Sequence, residues 1–381
     1  MALLSKELAQ QIVNRTMNVI HHNINVMDEK GVIIASGEKS RIGTAHEGAI
    51  LALRRSSRID IDDKQSKQLQ GVKVGTNLLI EFQEKVLGII GITGDPREVS
   101  QFGELMKMTA EMMIEQAYFI HKMEWTNRLK EEFIFSLIYD RNPSYRQVVE
   151  YSNTLGIRLD HPWVASLIEV PIEQISSDEQ MKRMNLVMNE VTNCCPHTLT
   201  AVVDSNYIVL LDDVKLHGNV EERLLSVQHN CEQLLNIRVR IASGKQSTHM
   251  KNVHTSYKIA QTTLQIGKIL YPEEQVYTFE QLKVQALFYD MHTTWKEEAL
   301  DESYDYLVKQ DKNGELRNTL HAFIEENGEL SQVATKLFIH RNTLRYRLNR
   351  IYELTGKDPK NIHDLFWLYG AMLRHTFQVA E

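Results

Sequence analysis

Between His340 and Ile351 the chain carries four arginines, two asparagines, a threonine and a tyrosine, and no acid. Side chains of these types do the chemistry of nucleic-acid reading. Asn pairs with the edge of adenine, Arg with that of guanine, and flanking cations fix the register on phosphates. At ~100° per residue in a helix, Leu344, Leu348 and Ile351 share one face. Asn342, Arg345, Tyr346 and Asn349 then point away from it, toward a major-groove floor, while Arg341, Arg347 and Arg350 flank them and Thr343 completes the set. The competing reading is a solvated basic helix face.

A second stretch, Ser40-Arg41-Ile42-Gly43-Thr44-Ala45-His46-Glu47-Gly48-Ala49, has the makings of an anion site. Gly43 allows close backbone approach. A helix beginning near Ala45 offers unpaired N–H groups and the positive end of its dipole. Arg41 can grip a carboxylate with two parallel hydrogen bonds, Ile42 lies beside it, and His46 and Asn77 can bond a second carboxylate or a hydroxyl. Plainer roles compete at each position. Thr44 and Glu47 fit a capping box, Arg41 can be a surface cation, and His46 a first-turn polar residue. Arg54, Arg55 and Arg58 read best as a solvated helix end.

Other chemistry is missing from the motifs. No nucleophile elbow, Walker loop, HExxH or zinc spacing occurs. The neighbours His21-His22, Cys194-Cys195 and His363-Asp364 point apart on any regular element, so they read as structural or incidental. No catalytic residue, metal or cofactor is expected. Three cysteines make neither a CxxC pair nor an even disulfide set, which suits a reduced, cytoplasmic protein.

The elements that must position these residues follow from periodicity. Leu330, Val333, Ala334 and Leu337 form the stripe of a short helix, Phe338 to His340 a turn, and a second helix runs from about Arg341 to a stop at Gly356. Helix, turn and basic helix read as a helix-turn-helix, flanked by helices at Leu316 to Glu326 and Ile362 to Arg374. From Glu329 to His375 there are eight Lys/Arg against four acids, a local excess of +4 on a chain of net charge −7. Such asymmetry suits a DNA-binding end joined to domains with other duties.

Upstream, 381 residues suggest two or three domains, and no apolar run is long enough to span a membrane. An opening helix precedes strand-like pieces at Asn25 to Met27 and Gly31 to Ala35, a helix over His46 to Arg55, and a hairpin of Leu78 to Phe82 with Val86 to Thr93. By analogy this is the order of a small PAS or GAF sensory domain. A long helix from about Val99 to Asp140, ended by Asn142-Pro143, carries a stripe of Phe102, Leu105, Thr109, Met112, Gln116, Phe119, Ile120 and Met123. That stripe fits a connector or dimer seam as well as it fits a helix folded back on its own domain. Strands at Trp163 to Val170, Ala201 to Leu211 (turning at Asp204-Ser205-Asn206) and Arg238 to Ser243 mark a middle unit.

Two resemblances add to this. FIHRNTLRYRLNRIYELTG is similar to the C-terminal motif of the sugar-diacid and purine-catabolism regulator group of bacterial transcription activators, and its core looks like the DNA-binding end of the factor for inversion stimulation. Where many helix-turn-helix motifs carry Gly near the start of the turn, this chain has Phe338, so a different turn geometry is expected. The Ser40 to Ala49 stretch, with Thr76-Asn77-Leu78-Leu79-Ile80 and Gly88 to Gly94, resembles the sugar-diacid recognition domain. The middle unit resembles the degenerate relative of diguanylate-cyclase domains found in the same group. A working cyclase carries Gly-Gly-acid-Glu-Phe on its hairpin; this chain has Val203-Asp204-Ser205-Asn206-Tyr207, so Asp204 reads as a turn residue.

The expectation is therefore a multidomain α+β chain in three parts: a PAS/GAF-like α/β sensory domain over 1–125, a degenerate cyclase-like α/β middle over 126–285, and an all-α helix-turn-helix bundle over 286–381. The resemblance implies a transcription regulator, an activator rather than a repressor. Its expected partners are a double-stranded DNA operator, a sugar acid such as glucarate, galactarate or glycerate, and a second copy of itself in a homodimer or higher oligomer. The rival readings are a nucleotide-processing enzyme with a regulatory sensor and a DNA-binding dimer without an effector.

Overall fold

Ser5 opens the first helix, α1 (Lys6–Met17), by accepting a hydrogen bond from the Leu8 N–H at 3.2 Å. Ala9, Ile12, Val13 and Thr16 recur at helical spacing and are its buried residues. In this computed structural model, residues 3–141, 143–172, 175–289 and 295–380 are described; Asn142, expected to help end the long helix, lies outside them. The chain divides into two compact units, Met1–Arg128 and Leu129–Glu381. Among the described residues no helix is long and apolar enough to cross a membrane.

The first unit continues with β1 (Ile24–Asp28), β2 (Ile33–Ser36), α2 (Glu47–Arg55), β3 (Ile59–Ile61), α3 (Asp63–Ser66), β4 (Gly75–Phe82), β5 (Lys85–Thr93) and, as far as Arg128, the 44-residue α4 (Pro96–Tyr139). Its strands form one antiparallel sheet in the order β2-β1-β5-β4-β3. Side chains alternate across it. Ile24, Val26, Leu78, Ile80, Ile90 and Ile92 face α1 and α4, where Val99, Met106, Ala110 and Ile114 complete a core. Met27, Ile33, Leu79 and Ile89 face the other way and pack on Ala49 and Ala52 of α2. Each Val, Leu, Ile or Met side chain among them contributes about 1.5–3 kcal/mol by leaving water. The strands expected from alternation are all present, whereas β3 and α3 were not anticipated: three or four residues are too few to show a period. The remaining face of α4 stays exposed at Phe102, Leu105, Met112, Phe119, Ile120 and Met123.

The second unit adds α5 (Tyr145–Leu155), β6 (Trp163–Glu169), α6 (Ser177–Cys194), β7 (Leu199–Asp204), β8 (Tyr207–Asp213), α7 (Val214–His217), α8 (Val220–Leu235), β9 (Arg240–Ser243), α9 (Val253–Leu270) and β10 (Val276–Thr278). The sheet order is β10-β9-β6-β8-β7, antiparallel except for β10 beside β9. The short parallel strand β10 was also not anticipated. Asp204 Oδ1 accepts from the Ser205 N–H at 2.6 Å, as a turn residue does. One face of the sheet packs on α6 and α8 through Met184, Val187, Val191, Leu224, Val227 and Cys231.

The other face shares a continuous core with α9 and with the helices that follow: α10 (Phe279–Tyr289), α11 (Trp295–Gln310), α12 (Glu315–Glu325), α13 (Leu330–Lys336), α14 (Arg341–Thr355) and α15 (Ile362–Ala380). The helix-turn-helix is α13 and α14. Val333 and Ala334 of α13 and Leu344, Leu348 and Ile351 of α14 are buried, with Leu330 and Leu337 packed alongside. Gly356 closes α14 in the left-handed region at φ 68°. In the turn, Phe338 itself takes φ 54°, the conformation glycine adopts most easily, with its ring 95% exposed. The missing glycine is thus met by strain at Phe338, of order 1 kcal/mol.

Candidate functional site

His340 starts α14: its Nδ1 accepts from the Asn342 N–H at 3.3 Å, an N-cap that satisfies one of the helix's first free donors. With Leu344, Leu348 and Ile351 anchored below, Arg341, Asn342, Thr343, Arg345, Tyr346, Asn349 and Arg350 are all exposed on the outer surface. One residue departs from that set. Arg347 is largely buried and pairs with Glu315 Oε2 at 3.0 Å, tying α14 to the start of α12. Arg350 pairs with Glu353 at 2.7 Å, but both side chains lie in solvent, where such a pair is worth little and can exchange for a phosphate. The surface that remains has two amides, a phenol and the Arg341, Arg345 and Arg350 cations, a donor-rich face matched to base edges and phosphates.

In the first unit the Ser40 to Ala49 segment is held against β2: Gly43 N–H donates to Ile33 O at 2.8 Å, Ile33 N–H to Thr44 O at 3.0 Å, and His46 N–H to Gly31 O at 2.9 Å. Helix α2 starts at Glu47 rather than near Ala45, and the expected capping box is absent. Thr44 Oγ1 donates to Arg41 O at 2.7 Å instead, and Glu47 Oε2 accepts from the Gln70 N–H at 2.7 Å. His46 is the N-cap, its Nδ1 accepting from the Ala49 N–H at 3.1 Å. That bond leaves the proton of the neutral ring on Nε2, so the ring presents a donor.

Arg41 is half-buried. Its Nη2 donates to Gly71 O at 2.6 Å, while its Nη1 is buried and, among the described residues, without a partner. Asn77 is buried, and the point where a Gly48 Cβ would sit lies 3.1 Å from His46 Cε1 and 3.2 Å from Asn77 Nδ2. The structure therefore brings His46 and Asn77 together, with the Arg41 charge acting on His46. Ile42 is exposed, and Gly43, at φ 89°, has open space where a Cβ would project. The Gln68 to Lys73 loop that holds Arg41 and Glu47 was not anticipated, because contacts 23 and 30 residues apart in sequence leave no periodic signal.

Burial first, and the Arg41 charge second, push His46 down from an ordinary 6.5 to about 4. The folded chain thus keeps the ring neutral where the unfolded chain binds a proton. The stability tied to this is complete above pH ~6.5 and is lost as the pH falls toward 4. The expected loss across that window is on the order of 3 kcal/mol, read by urea unfolding of the first unit at each pH. His46→Asn keeps the cap but cannot titrate, so its stability should fall less over the same window. An identical slope in the variant would assign the acid sensitivity to other groups.

Three matches to known families cover most of the chain. Residues 4–137 match the sugar diacid recognition family, residues 140–266 the GGDEF-like domain, and residues 316–373 the PucR C-terminal helix-turn-helix domain. Among whole proteins, the chain is 37% identical over 380 residues to the carbohydrate diacid regulator of Escherichia coli (strain K12), covering 97% of both chains. It is 30% identical over 374 residues to a Haemophilus influenzae protein, covering 98% of this chain and 100% of that one. It is also 29% identical over 257 residues to the DNA-binding transcriptional activator AdeR of Bacillus subtilis, covering 64% of this chain and 59% of that one.

Proposed function

The chain belongs to the carbohydrate diacid regulator family and is a DNA-binding regulator of transcription, and from that premise we propose that its first unit senses a sugar acid. Glucarate, galactarate and glycerate are the effectors that fit the reading. The observation that carries it is the buried, unpartnered Nη1 of Arg41 beside a neutral His46 that presents Nε2–H. A buried guanidinium nitrogen without an acceptor costs free energy that a ligand carboxylate recovers. Binding acts on transcription by favouring one arrangement of the chain over another, which requires unequal affinity for the two. In this reading the output is activation, exerted in the cytoplasm on an operator.

The first part, 1–125, serves as a PAS/GAF-like sensor, 126–285 as a middle domain without catalysis, and 286–381 as the DNA-binding end. The middle hairpin supports the non-enzymatic role, since Val203-Asp204-Ser205-Asn206-Tyr207 has neither the glycines nor the paired acid of a cyclase. The test is operator binding by fluorescence anisotropy during titration with each of the three acids. A change in operator affinity or stoichiometry with at least one acid is expected. No response, together with no acid binding by calorimetry, leaves a DNA-binding dimer without an effector.

Self-association is part of the proposal. Val99, Met106, Ala110 and Ile114 bury one face of α4 within its own unit, yet Phe102, Leu105, Met112, Phe119 and Met123 stand exposed on another. With Thr109 and Gln116 between them they step by alternating threes and fours, the spacing of a coiled-coil seam. A monomer seldom leaves so much contiguous apolar surface in water, and a second copy offers a matching seam. Met112→Glu with Phe119→Glu should fold, because both positions are exposed, but sediment as a monomer. It should also lose most operator affinity, since one helix-turn-helix reads only a half-site. A stable dimer in the double variant would place the interface elsewhere.

A further inference from the structure

Where α4 ends, in the second unit, its last residue Tyr139 meets α9 and the β7–β8 hairpin around a cavity of about 210 Å³. Three phenol rings line this cavity, those of Tyr139, Tyr207 and Tyr257. Tyr257 is buried, whereas Tyr139 is 58% exposed. The rings of Tyr139 and Tyr257 lie 6.2 Å apart at 81°, so they make two walls of a corner and not a stack. Leu167 and Val203 add apolar surface between the elements.

The rest of the lining is an acid and two amides, and among the described residues no Lys or Arg joins it. Asp204 comes from the hairpin, while Gln261 and Gln265 follow Tyr257 one and two turns along α9. Asp204 Oδ1 accepts from its own turn, yet among the described residues this carboxylate forms no ion pair. Lys268, three residues beyond Gln265, is committed elsewhere: its Nζ donates to Glu169 Oε1 at 2.6 Å, the oxygen that also accepts from Tyr207 OH at 3.1 Å. Burial first, then Tyr139 and the Asp204 charge, push the Tyr257 phenol up, and no cation acts against them. Gln261 Nε2 donates to Tyr257 OH at 3.3 Å, which leaves Gln261 Oε1 facing outward as an acceptor.

We propose that this corner is a second small-molecule site, one that holds an organic cation of the alkylammonium class. The face of a tyrosine ring is negative and attracts a cation, and several rings around one nitrogen make the usual cage for a methylated ammonium. Tyr139, Tyr207 and Tyr257 supply the rings, Asp204 the opposite charge, and Gln261 Oε1 an acceptor for a hydroxyl or N–H on the same ligand. A sugar acid is excluded here, because Asp204 repels it and no lining cation offsets that repulsion. The cavity is smaller than the roughly 300–1,000 Å³ of sites for drug-sized ligands, so it takes a compact headgroup. It lies in the other compact unit from the Arg41 loop and takes the opposite charge, so it stands or falls independently of the sugar-acid reading.

Calorimetric titration of the full chain with choline, tetramethylammonium and the uncharged alcohol in which carbon replaces choline's nitrogen tests this. Wild type should bind choline roughly tenfold or more tightly than the alcohol, which has the same shape without the charge. Tyr139→Leu removes one wall at an exposed position, where folding is spared, and should weaken choline by about 2- to 30-fold. Tyr139→Phe keeps the ring and should keep the affinity. Asp204→Asn retains an acceptor for the Ser205 N–H but loses the charge, so it should weaken both ammonium ions and leave the alcohol unchanged. If neither ammonium ion binds wild type at millimolar concentration, or if the alcohol binds as well as choline, the cation site is overturned. Undiminished choline binding by both Tyr139→Leu and Asp204→Asn overturns it too, because the ion then binds elsewhere.

Discussion

Arg345→Ala should lose roughly 1–3 kcal/mol on the preferred operator and relax its sequence preference. The side chain stands exposed one turn into α14, with Leu344 and Leu348 beneath it fixing where it points. Asn342→Ala, at the helix's open first turn, should behave the same way with a different base affected. Arg350→Ala should instead weaken all sequences alike and lower the salt slope by about 1, the result expected of an exposed cation that can give up its Glu353 pair to a phosphate. Arg347→Ala serves as the contrast: it breaks the link to Glu315, so stability should respond before specificity does. Anisotropy on operator and scrambled duplexes at several salt concentrations separates these cases. Unchanged operator affinity in both Arg345→Ala and Asn342→Ala would remove α14 from the major groove.

Arg41→Ala should cost about 1.5–3 kcal/mol of acid binding, the worth of a charge-assisted hydrogen bond. Operator binding should survive, since the helix-turn-helix belongs to the other compact unit. Because Arg41 Nη2 also holds Gly71 O, the substitution frees the loop as well as the ligand. Arg41→Lys separates the two effects: it keeps a positive charge but loses the fork, so a carboxylate site should recover part of its affinity. His46→Ala should weaken binding less than Arg41→Ala, since a neutral hydrogen bond contributes less. Calorimetry with glucarate, galactarate and glycerate measures all three variants. Full acid binding by Arg41→Ala would move the carboxylate site away from this loop.

Much of the chain was legible because its signals are local. The Leu344-Leu348-Ile351 stripe, the His340 and Gly356 caps and the polar residues between them occur within one helix length, so α14 begins at Arg341 as its pattern implies. Strands β1, β4, β5, β6 and β8 follow alternation and apolar runs in the same way. Phe338 in place of glycine implied a different turn geometry, yet the residue itself takes the left-handed conformation that glycine would adopt. Thr44 and Glu47 matched a capping box by spacing alone, yet Gln70 and the Arg41 carbonyl offered these groups other partners. A local motif yields whenever a distant segment supplies a competing hydrogen bond.

Periodicity and caps thus determined which segments are helix or strand, and side-chain type along α14 determined that this end meets DNA. The tertiary structure alone decided which polar groups are buried beside one another. Asn25 and Asn77, fifty-two positions apart, become neighbours across Gly91 only through the pairing of β1, β5 and β4. Likewise, α4 carries apolar residues on two faces, and only the docked sheet distinguishes the buried Met106 from the exposed Met112. Burial and hydrogen-bond satisfaction are properties of what surrounds a residue in space, and packing rather than sequence spacing supplies those surroundings.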